Sequence, residues 1–168
     1  CNDIDLEPDE KINAIKLISS ACGKNGMVYG QFLDIENESK EINKETIENI
    51  HSLKTGKLIE CAVMLGQIGN NKSQQNEILL KFSKKIGLAF QITDDILEVI
   101  SDEDTLGKNI NSDTKNQKST YINVLGIDEA IKRSKELSES AMLDIKVLKL
   151  KEADMLKELA KYISYREK

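Results

Sequence analysis

Apolar residues recur along most of the chain with the three-to-four-residue period of an amphipathic α-helix. The clearest stretch covers residues 73–100, where the apolar positions are Ile78, Phe82, Ile86, Ala89, Ile92, Ile96 and Val99. Residues 45–69 carry a second stripe, formed by Ile47, Ile50, Leu53, Leu58, Cys61, Ala62 and Leu65. Each pattern predicts one long helix with a buried face.

Shorter helices are predicted on either side of these two, over residues 9–22, 24–37, 119–125, 127–149 and 152–165. Gly23 ends the first of them, as a C-terminal glycine often does. Residues 101–118 are rich in Asp, Asn, Ser and Lys, a composition that predicts a polar loop. Strand patterns and repeats are absent from the sequence, so the predicted fold class is all-α.

The length and composition of the chain disfavour several classes of function. A length of 168 residues predicts a single domain over 1–168. The formal net charge of −5 disfavours a general nucleic-acid binder, and no apolar run reaches the roughly 18 residues of a membrane span. Cys1, Cys22 and Cys61 fit no zinc or disulfide framework, which predicts a reduced protein of the cytoplasm.

Acidic residues interrupt the apolar run "FQITDDILEV" at residues 90–99. At about 100° per residue, Gln91, Asp94, Asp95 and Glu98 fall within an arc of about 100° on one helix face. Gly87 lies in the same arc and leaves room beside it. The other side of this helix is apolar, so the acids form a stripe next to a buried face.

A solvated helix face and a metal site are the two interpretations of this stripe. Like charges one turn apart repel each other, and no Lys or Arg lies between residues 86 and 107 to relieve them. Carboxylate ligands together with substrate phosphate oxygens suit Mg²⁺. Lys54, in the preceding long helix, and Lys108 and Lys118, in the polar loop, are candidate phosphate ligands. Together these residues predict a metal–diphosphate site.

A calcium loop is the competing interpretation of residues 102–113. Asp102, Asp104, Gly107 and Asp113 occupy acceptable positions of an EF-hand loop. Leu106, however, stands at the fifth position, where an oxygen ligand is required, and Asp113 replaces the bidentate Glu. Calcium binding is therefore disfavoured.

Several motifs in this order resemble the C-terminal part of trans-isoprenyl diphosphate synthases, most closely the bacterial farnesyl diphosphate synthase group. The resemblance is carried by "GMVYGQFLDIE" (26–36), "IHSLKTGKLIECAVMLG" (50–66), "IGLAFQITDDILEV" (86–99), "DTLGKN" (104–109) and "QKSTY" (117–121). The ending "LAKYISYREK" (159–168) is also similar. Each motif alone is a weak signal, whereas the ordered set is specific.

The resemblance implies an isoprenoid synthase-like helical bundle around a central cavity, usually in a homodimer. Its second aspartate-rich motif falls on Asp94, Asp95 and Glu98, which would bind Mg²⁺. Its allylic diphosphate ligands fall on Lys54, Lys108 and Lys118. The resemblance also implies that Thr55 and Gln91 face the reacting carbons and that Asp113 contacts metal-bound water.

The implied reaction condenses isopentenyl diphosphate with an allylic diphosphate and gives farnesyl diphosphate. The sequence departs from the family at Glu98, Asn111 and Asn123, which replace a commoner Asp, Gly and Pro. The family's first aspartate-rich motif, DD-x-x-D, is absent from the 168 residues. We therefore expect a C-terminal part of one polyprenyl synthetase domain, with little or no synthase activity alone. A geranylgeranyl diphosphate synthase and a non-catalytic subunit paired with a complete synthase remain alternatives.

Overall fold

The computed structural model describes residues 6–69, 73–106, 120–148 and 153–166, with the backbone alone at residues 73 and 101–106. The helices are α1 (Pro8–Cys22), α2 (Met27–Glu36), α3 (Lys44–His51), α4 (Lys57–Leu65), α5 (Ser73–Leu106), α6 (Tyr121–Leu125), α7 (Ile127–Lys146) and α8 (Ala153–Tyr165). A π-turn, Ser52–Gly56, joins α3 to α4. The described ranges contain no strand, and the predicted all-α class is confirmed.

Helix α5 is longer than the sequence pattern predicted. It spans 34 residues and ends at Leu106, so the predicted loop over 101–118 is wrong for its first six positions, 101–106. Polar composition suggested a loop, but residues 101–106 contain neither Gly nor Pro. A helix continues through polar residues where nothing breaks it.

The π-turn divides what the sequence predicted as one uninterrupted helix over 45–69. A π-turn holds one more residue than an α-turn, so the residues after it are rotated by about 100° relative to the predicted stripe. Ile59 and Val63 consequently pack against the core, whereas Leu58 is 36% exposed and Ala62 is exposed. The predicted stripe is therefore wrong at Leu58 and Ala62, although Cys61 is buried as expected.

Helix α5 is the central element of the bundle. α7 and α8 pack along it, as do α4 and the π-turn. Its apolar face follows the predicted spacing and forms the middle of the core, with Phe82, Ile86, Ala89, Ile92 and Ile96 all buried. Within the described residues, no helix combines the length and apolar character needed to cross a bilayer.

Helices α1 and α2 lie at the periphery and are sparsely buried. Among the described residues, α1 buries only Ala21 and α2 buries only Gly30. Both helices expose large apolar side chains, namely Ile12, Ile15 and Ile18 on α1 and Val28, Tyr29, Phe32 and Ile35 on α2. We call these seven residues the α1–α2 apolar face.

Candidate functional site

The candidate site lies where the π-turn crosses α5. A Cβ atom built on Gly87 would lie 2.8 Å from the Cα atom of Gly56, so the absence of a side chain at Gly87 allows the two backbones to touch. This close approach places Thr55 beside Gln91, and the Thr55 Oγ1 hydroxyl donates a 2.7 Å hydrogen bond to Gln91 Oε1. Both side chains are half-buried.

Asp95 is the buried member of the acidic stripe, with a side chain that is 8% exposed. Gln91 Nε2 donates to its Oδ1 atom at 3.2 Å, and the backbone N–H of Tyr121 donates to its Oδ2 atom at 2.8 Å. Burial raises the pKa of Asp95 to about 6, while these two hydrogen bonds lower it. Asp95 is therefore ionised at neutral pH, and both of its oxygens accept hydrogen bonds from the protein.

His51 lies directly behind Asp95. Its Nε2 atom is 3.5 Å from Asp95 Oδ2, and its ring stacks on Tyr121 with centroids 6.2 Å apart. An ion pair at this distance would need a protonated imidazole, but burial lowers the pKa of His51 to about 4. His51 is thus neutral at pH 7 and contributes no positive charge beside Asp95.

Tyr121 is itself held by a charged pair. Its hydroxyl donates to Glu48 Oε1 at 3.0 Å, and Arg133 Nε donates to the same oxygen at 3.3 Å. Burial, followed by the Glu48 carboxylate, raises the pKa of the Tyr121 hydroxyl. Tyr121 therefore stays a neutral donor that connects α3, α6 and α7 to the acidic stripe.

Asp94 is the more accessible aspartate, with a side chain that is 40% exposed. Its Oδ1 atom accepts a hydrogen bond from the Arg166 guanidinium, which lies 4.6 Å from the centroid of the Phe90 ring. Partial burial raises the pKa of Asp94, and Arg166 opposes that shift. Arg166, the residue that follows α8, thus supplies a cation to the acidic stripe.

Lys54 carries a paired charge. Its Nζ atom lies 2.6 Å from Oδ2 of Asp34, on α2. A Cβ atom on Gly30 would lie 2.2 Å from the Lys54 backbone nitrogen, so glycine is required for α2 to pass this close. A phosphate bound by Lys54 would have to compete with Asp34 or share the ammonium group with it.

The structure brings three of the predicted site residues, Thr55, Gln91 and Asp95, into one hydrogen-bonded chain. Asp94 is on the same helix but pairs with Arg166, and Glu98 is exposed. Lys54 pairs with Asp34 instead, and Lys108, Asp113 and Lys118 lie outside the described residues.

Sequence reasoning missed five ionisable residues in and around the site. Asp34, His51 and Arg166 contact predicted site residues directly, and Glu48 and Arg133 hold the hydroxyl of Tyr121. Two of these residues stand out from their neighbours in the sequence. Asp34 interrupts an apolar helix pattern, and His51, the chain's one histidine, lies three residues before Lys54 among apolar neighbours. The other three resemble ordinary surface charges in sequence.

The acidic stripe meets the requirements of a magnesium site. Asp94 and Asp95 present oxygen donors, burial raises the pKa of both carboxyl groups, and each neighbouring carboxylate raises that of Asp95 further. A divalent cation would relieve this repulsion. Among the described side chains, no three acidic, histidine or cysteine groups converge on one point. Mg²⁺ needs only one or two carboxylates when water and phosphate oxygens complete its shell, so the residues present fit it.

Comparison with known proteins finds the same family that the sequence motifs resemble. The family model of polyprenyl synthetases, described as "Polyprenyl synthetase", matches residues 4–163. Farnesyl diphosphate synthase of Escherichia coli K12 is 40% identical over 163 residues, which cover 95% of this chain and 54% of that protein. Geranylgeranyl diphosphate synthase of Cyanophora paradoxa is 39% identical over 136 residues, covering 80% of this chain and 45% of that protein.

A solved structure shows the same fold. Geranyltransferase of Helicobacter pylori, in complex with magnesium and isoprenyl diphosphate, superposes with a TM-score of 0.78 at 31% sequence identity. The superposition covers 96% of this chain and 53% of that one. The chain thus spans about half the length of the relatives it matches.

Proposed function

Because this chain belongs to the polyprenyl synthetase family, we propose that it forms the half of a magnesium-dependent prenyltransferase that binds the allylic diphosphate. The whole protein would condense isopentenyl diphosphate with an allylic diphosphate to give farnesyl diphosphate. The relatives named farnesyl diphosphate synthase support this assignment. It rests most directly on the acidic stripe of α5, which meets the Thr55 side chain across the π-turn.

The proposed roles follow the chemistry of the side chains. Mg²⁺ is assigned to the stripe of Asp94, Asp95 and Glu98, in which Asp94 is the more accessible aspartate. The allylic diphosphate is assigned to Lys54, Lys108 and Lys118, since lysines bind phosphate as point charges. Asp113 is assigned to metal-bound water.

Ionisation of the allylic substrate separates a diphosphate anion from a carbocation. Bound Mg²⁺ supplies Lewis-acid stabilisation of the leaving diphosphate. Lys54 adds positive charge on the diphosphate side, while Thr55 and Gln91 present neutral oxygen dipoles on the carbon side. Preorganised dipoles of this kind stabilise developing charge without reorganising, and exclusion of water from the bound carbocation would prevent its quenching.

Magnesium-dependent binding of a bisphosphonate to this chain tests the proposal. Calorimetry with and without EDTA should give affinity that requires Mg²⁺, and Asp94→Ala should weaken it at least about tenfold, the effect of one lost charge-assisted contact. The matched control is Asp154→Ala, which removes an acid from the exposed face of α8, where it pairs with Lys157. Equal affinity in Asp94→Ala and the control would show that the metal assignment is wrong.

Geranylgeranyl diphosphate is the second candidate product, because the Cyanophora relative is named for it. Product analysis of the whole protein with labelled isopentenyl diphosphate separates a C15 from a C20 product. Absence of product together with metal-dependent bisphosphonate binding would instead support a non-catalytic subunit that pairs with a complete synthase. Homodimer formation and a cytoplasmic location remain predictions.

A further inference from the structure

The hydrogen bonds that link Thr55 of the π-turn through Gln91 to Asp95 of α5 run in one direction. The Thr55 hydroxyl donates to Gln91 Oε1 at 2.7 Å, and Gln91 Nε2 donates to Asp95 Oδ1 at 3.2 Å. Both oxygens of Asp95 are placed as acceptors, Oδ1 towards Gln91 Nε2 and Oδ2 towards the Tyr121 backbone N–H. Asp95 therefore obliges Gln91 to present its NH₂ group, which leaves the Gln91 oxygen for Thr55 and obliges Thr55 to donate.

The Asp95 end of this chain is fixed by the protein. The Tyr121 backbone N–H donates to Asp95 Oδ2 at 2.8 Å, and the Tyr121 ring is anchored through its hydroxyl to Glu48, which also accepts from Arg133. Both Asp95 oxygens are thus engaged by donors, and the side chain is 8% exposed, compared with 40% for Asp94. Within the stripe assigned to Mg²⁺, this environment leaves direct contact with the metal to the more accessible Asp94 and makes Asp95 the orienting carboxylate.

We propose that Asp95 is a positioning residue that sets the direction of the chain Thr55–Gln91–Asp95 and so leaves only the lone pairs of the Thr55 hydroxyl for the substrate. The inference rests on the proposed function, in which Thr55 faces the carbon that becomes cationic. A hydroxyl that donates its hydrogen bond to Gln91 turns its lone pairs, and so a negative potential, towards that carbon. A hydroxyl of the opposite orientation would present its proton and oppose the cation.

Asp95→Asn tests this direction with a nearly isosteric change. The oxygen of the introduced side-chain amide must still accept from the Tyr121 N–H, so the NH₂ group of that amide faces Gln91. Gln91 then turns over, its NH₂ group faces Thr55, and the Thr55 proton points away from Gln91. The double variant Asp95→Asn/Gln91→Glu should restore the original direction, since a carboxylate at position 91 accepts from both the introduced amide and Thr55.

The readout compares two probes in the presence of Mg²⁺: methylenediphosphonate and a bisphosphonate that carries a protonated nitrogen. The wild-type chain should prefer the cationic probe, and Asp95→Asn should reduce that preference about tenfold. Because this substitution also removes a negative charge, the comparison is repeated in Thr55→Val, where Asp95→Asn should change the preference no further if it acts through the hydroxyl. The double variant should recover most of the preference. Thermal unfolding of each variant checks that the fold is retained.

Other outcomes overturn the inference. If Asp95→Asn weakens both probes equally, lowers Mn²⁺ affinity measured by electron paramagnetic resonance, and is not rescued by Gln91→Glu, then Asp95 is a metal ligand and the proposed function still stands. If the wild-type chain binds neither probe, the proposed function fails and the inference fails with it. If Asp95→Asn does not fold, Thr55→Val is compared with Thr55→Ser. Only the valine variant should lose the preference for the cationic probe, because serine keeps the hydroxyl. If both variants keep that preference, the proposal is contradicted.

Discussion

At the scale of single residues, burial determines the charge states in the site. His51 and Asp95 lie 3.5 Å apart, yet burial moves their pKa values in opposite directions, to about 4 for His51 and to about 6 for Asp95. Sequence alone could not reveal this pairing, because the two residues are on different helices. The acidic stripe was predictable from spacing within one helix, whereas its partners come from other elements.

The pKa shifts of Asp95 and His51 have opposite effects on how the free energy of unfolding depends on pH. The folded state holds the Asp95 proton more tightly than the unfolded chain, so lowering the pH from about 6 towards the ordinary value of 3.8 stabilises it. The folded state resists protonation of His51, so lowering the pH from 6.5 towards about 4 destabilises it. Because these windows overlap, a pH-dependent unfolding curve cannot report on either residue alone.

An NMR titration measures the pKa of His51 independently of Asp95. The chain contains one histidine, so its Cε1–H resonance is assigned without ambiguity. In EDTA, this resonance should titrate with a midpoint near pH 4, because burial disfavours the imidazolium ion. The same resonance in urea-unfolded protein is the control and should titrate near the ordinary value of 6.5. A folded-state midpoint near 6.5 would show that His51 is solvated or paired as a cation.

At the scale of helices, close backbone contacts set the geometry of the site. The π-turn meets α5 at Gly56 and Gly87, and α2 meets the π-turn at Gly30 and Lys54. The sequence predicted room beside Gly87, but it identified neither Gly56 as the partner there nor the contact between Gly30 and Lys54. It also missed the π-turn, since the residues 52–56 contain no residue that forbids a regular helix.

Gly87→Ala should destabilise the protein. The added methyl group would lie 2.8 Å from the Gly56 Cα atom, and overpacking of this kind costs about 1–3 kcal/mol. The better helix propensity of alanine stabilises the folded state by only about 0.5–1 kcal/mol, so the effect of the clash is larger. Urea unfolding followed by circular dichroism measures the difference.

Gly66→Ala is the matched control for this substitution. Gly66 has φ −65° and ψ −10°, and its nearest neighbour would be the Val63 carbonyl oxygen at 3.4 Å. Alanine fits these angles, so stability should change by no more than about 0.5 kcal/mol. Equal midpoints for the two variants would mean that the helices separate easily at Gly87 and that the contact does not hold the site together.

At the scale of the whole molecule, the described chain divides into a packed centre and a thinly packed margin. Helix α5 supplies five of the buried core residues named above, whereas the α1–α2 apolar face is exposed. The sequence predicted the existence of nearly every helix, because helical periodicity is local. It could not predict which apolar stripes find partners, because that depends on contacts between distant segments.

Hydrogen exchange on the isolated chain should reflect this division. Amides of α1 and α2 should exchange at least about tenfold faster than those in the middle of α5, because few buried contacts resist local opening. Mass spectrometry of peptic peptides from residues 8–22, 27–36 and 79–96 gives the comparison. Equal protection of all three peptides would indicate that another surface, such as a second copy, covers α1 and α2.

The π-turn also bears on how this segment tolerates insertions and deletions. Removing one residue from Ser52–Gly56 would allow α3 and α4 to join as one regular helix, which the backbone alone would accept readily. The same deletion would rotate everything after it by about 100° and turn Ile59 and Val63 away from the core. Depending on which residue is removed, the deletion would also separate Thr55 from Gln91 or Lys54 from Asp34. Selection on this segment should therefore act on its length as strictly as on its side chains.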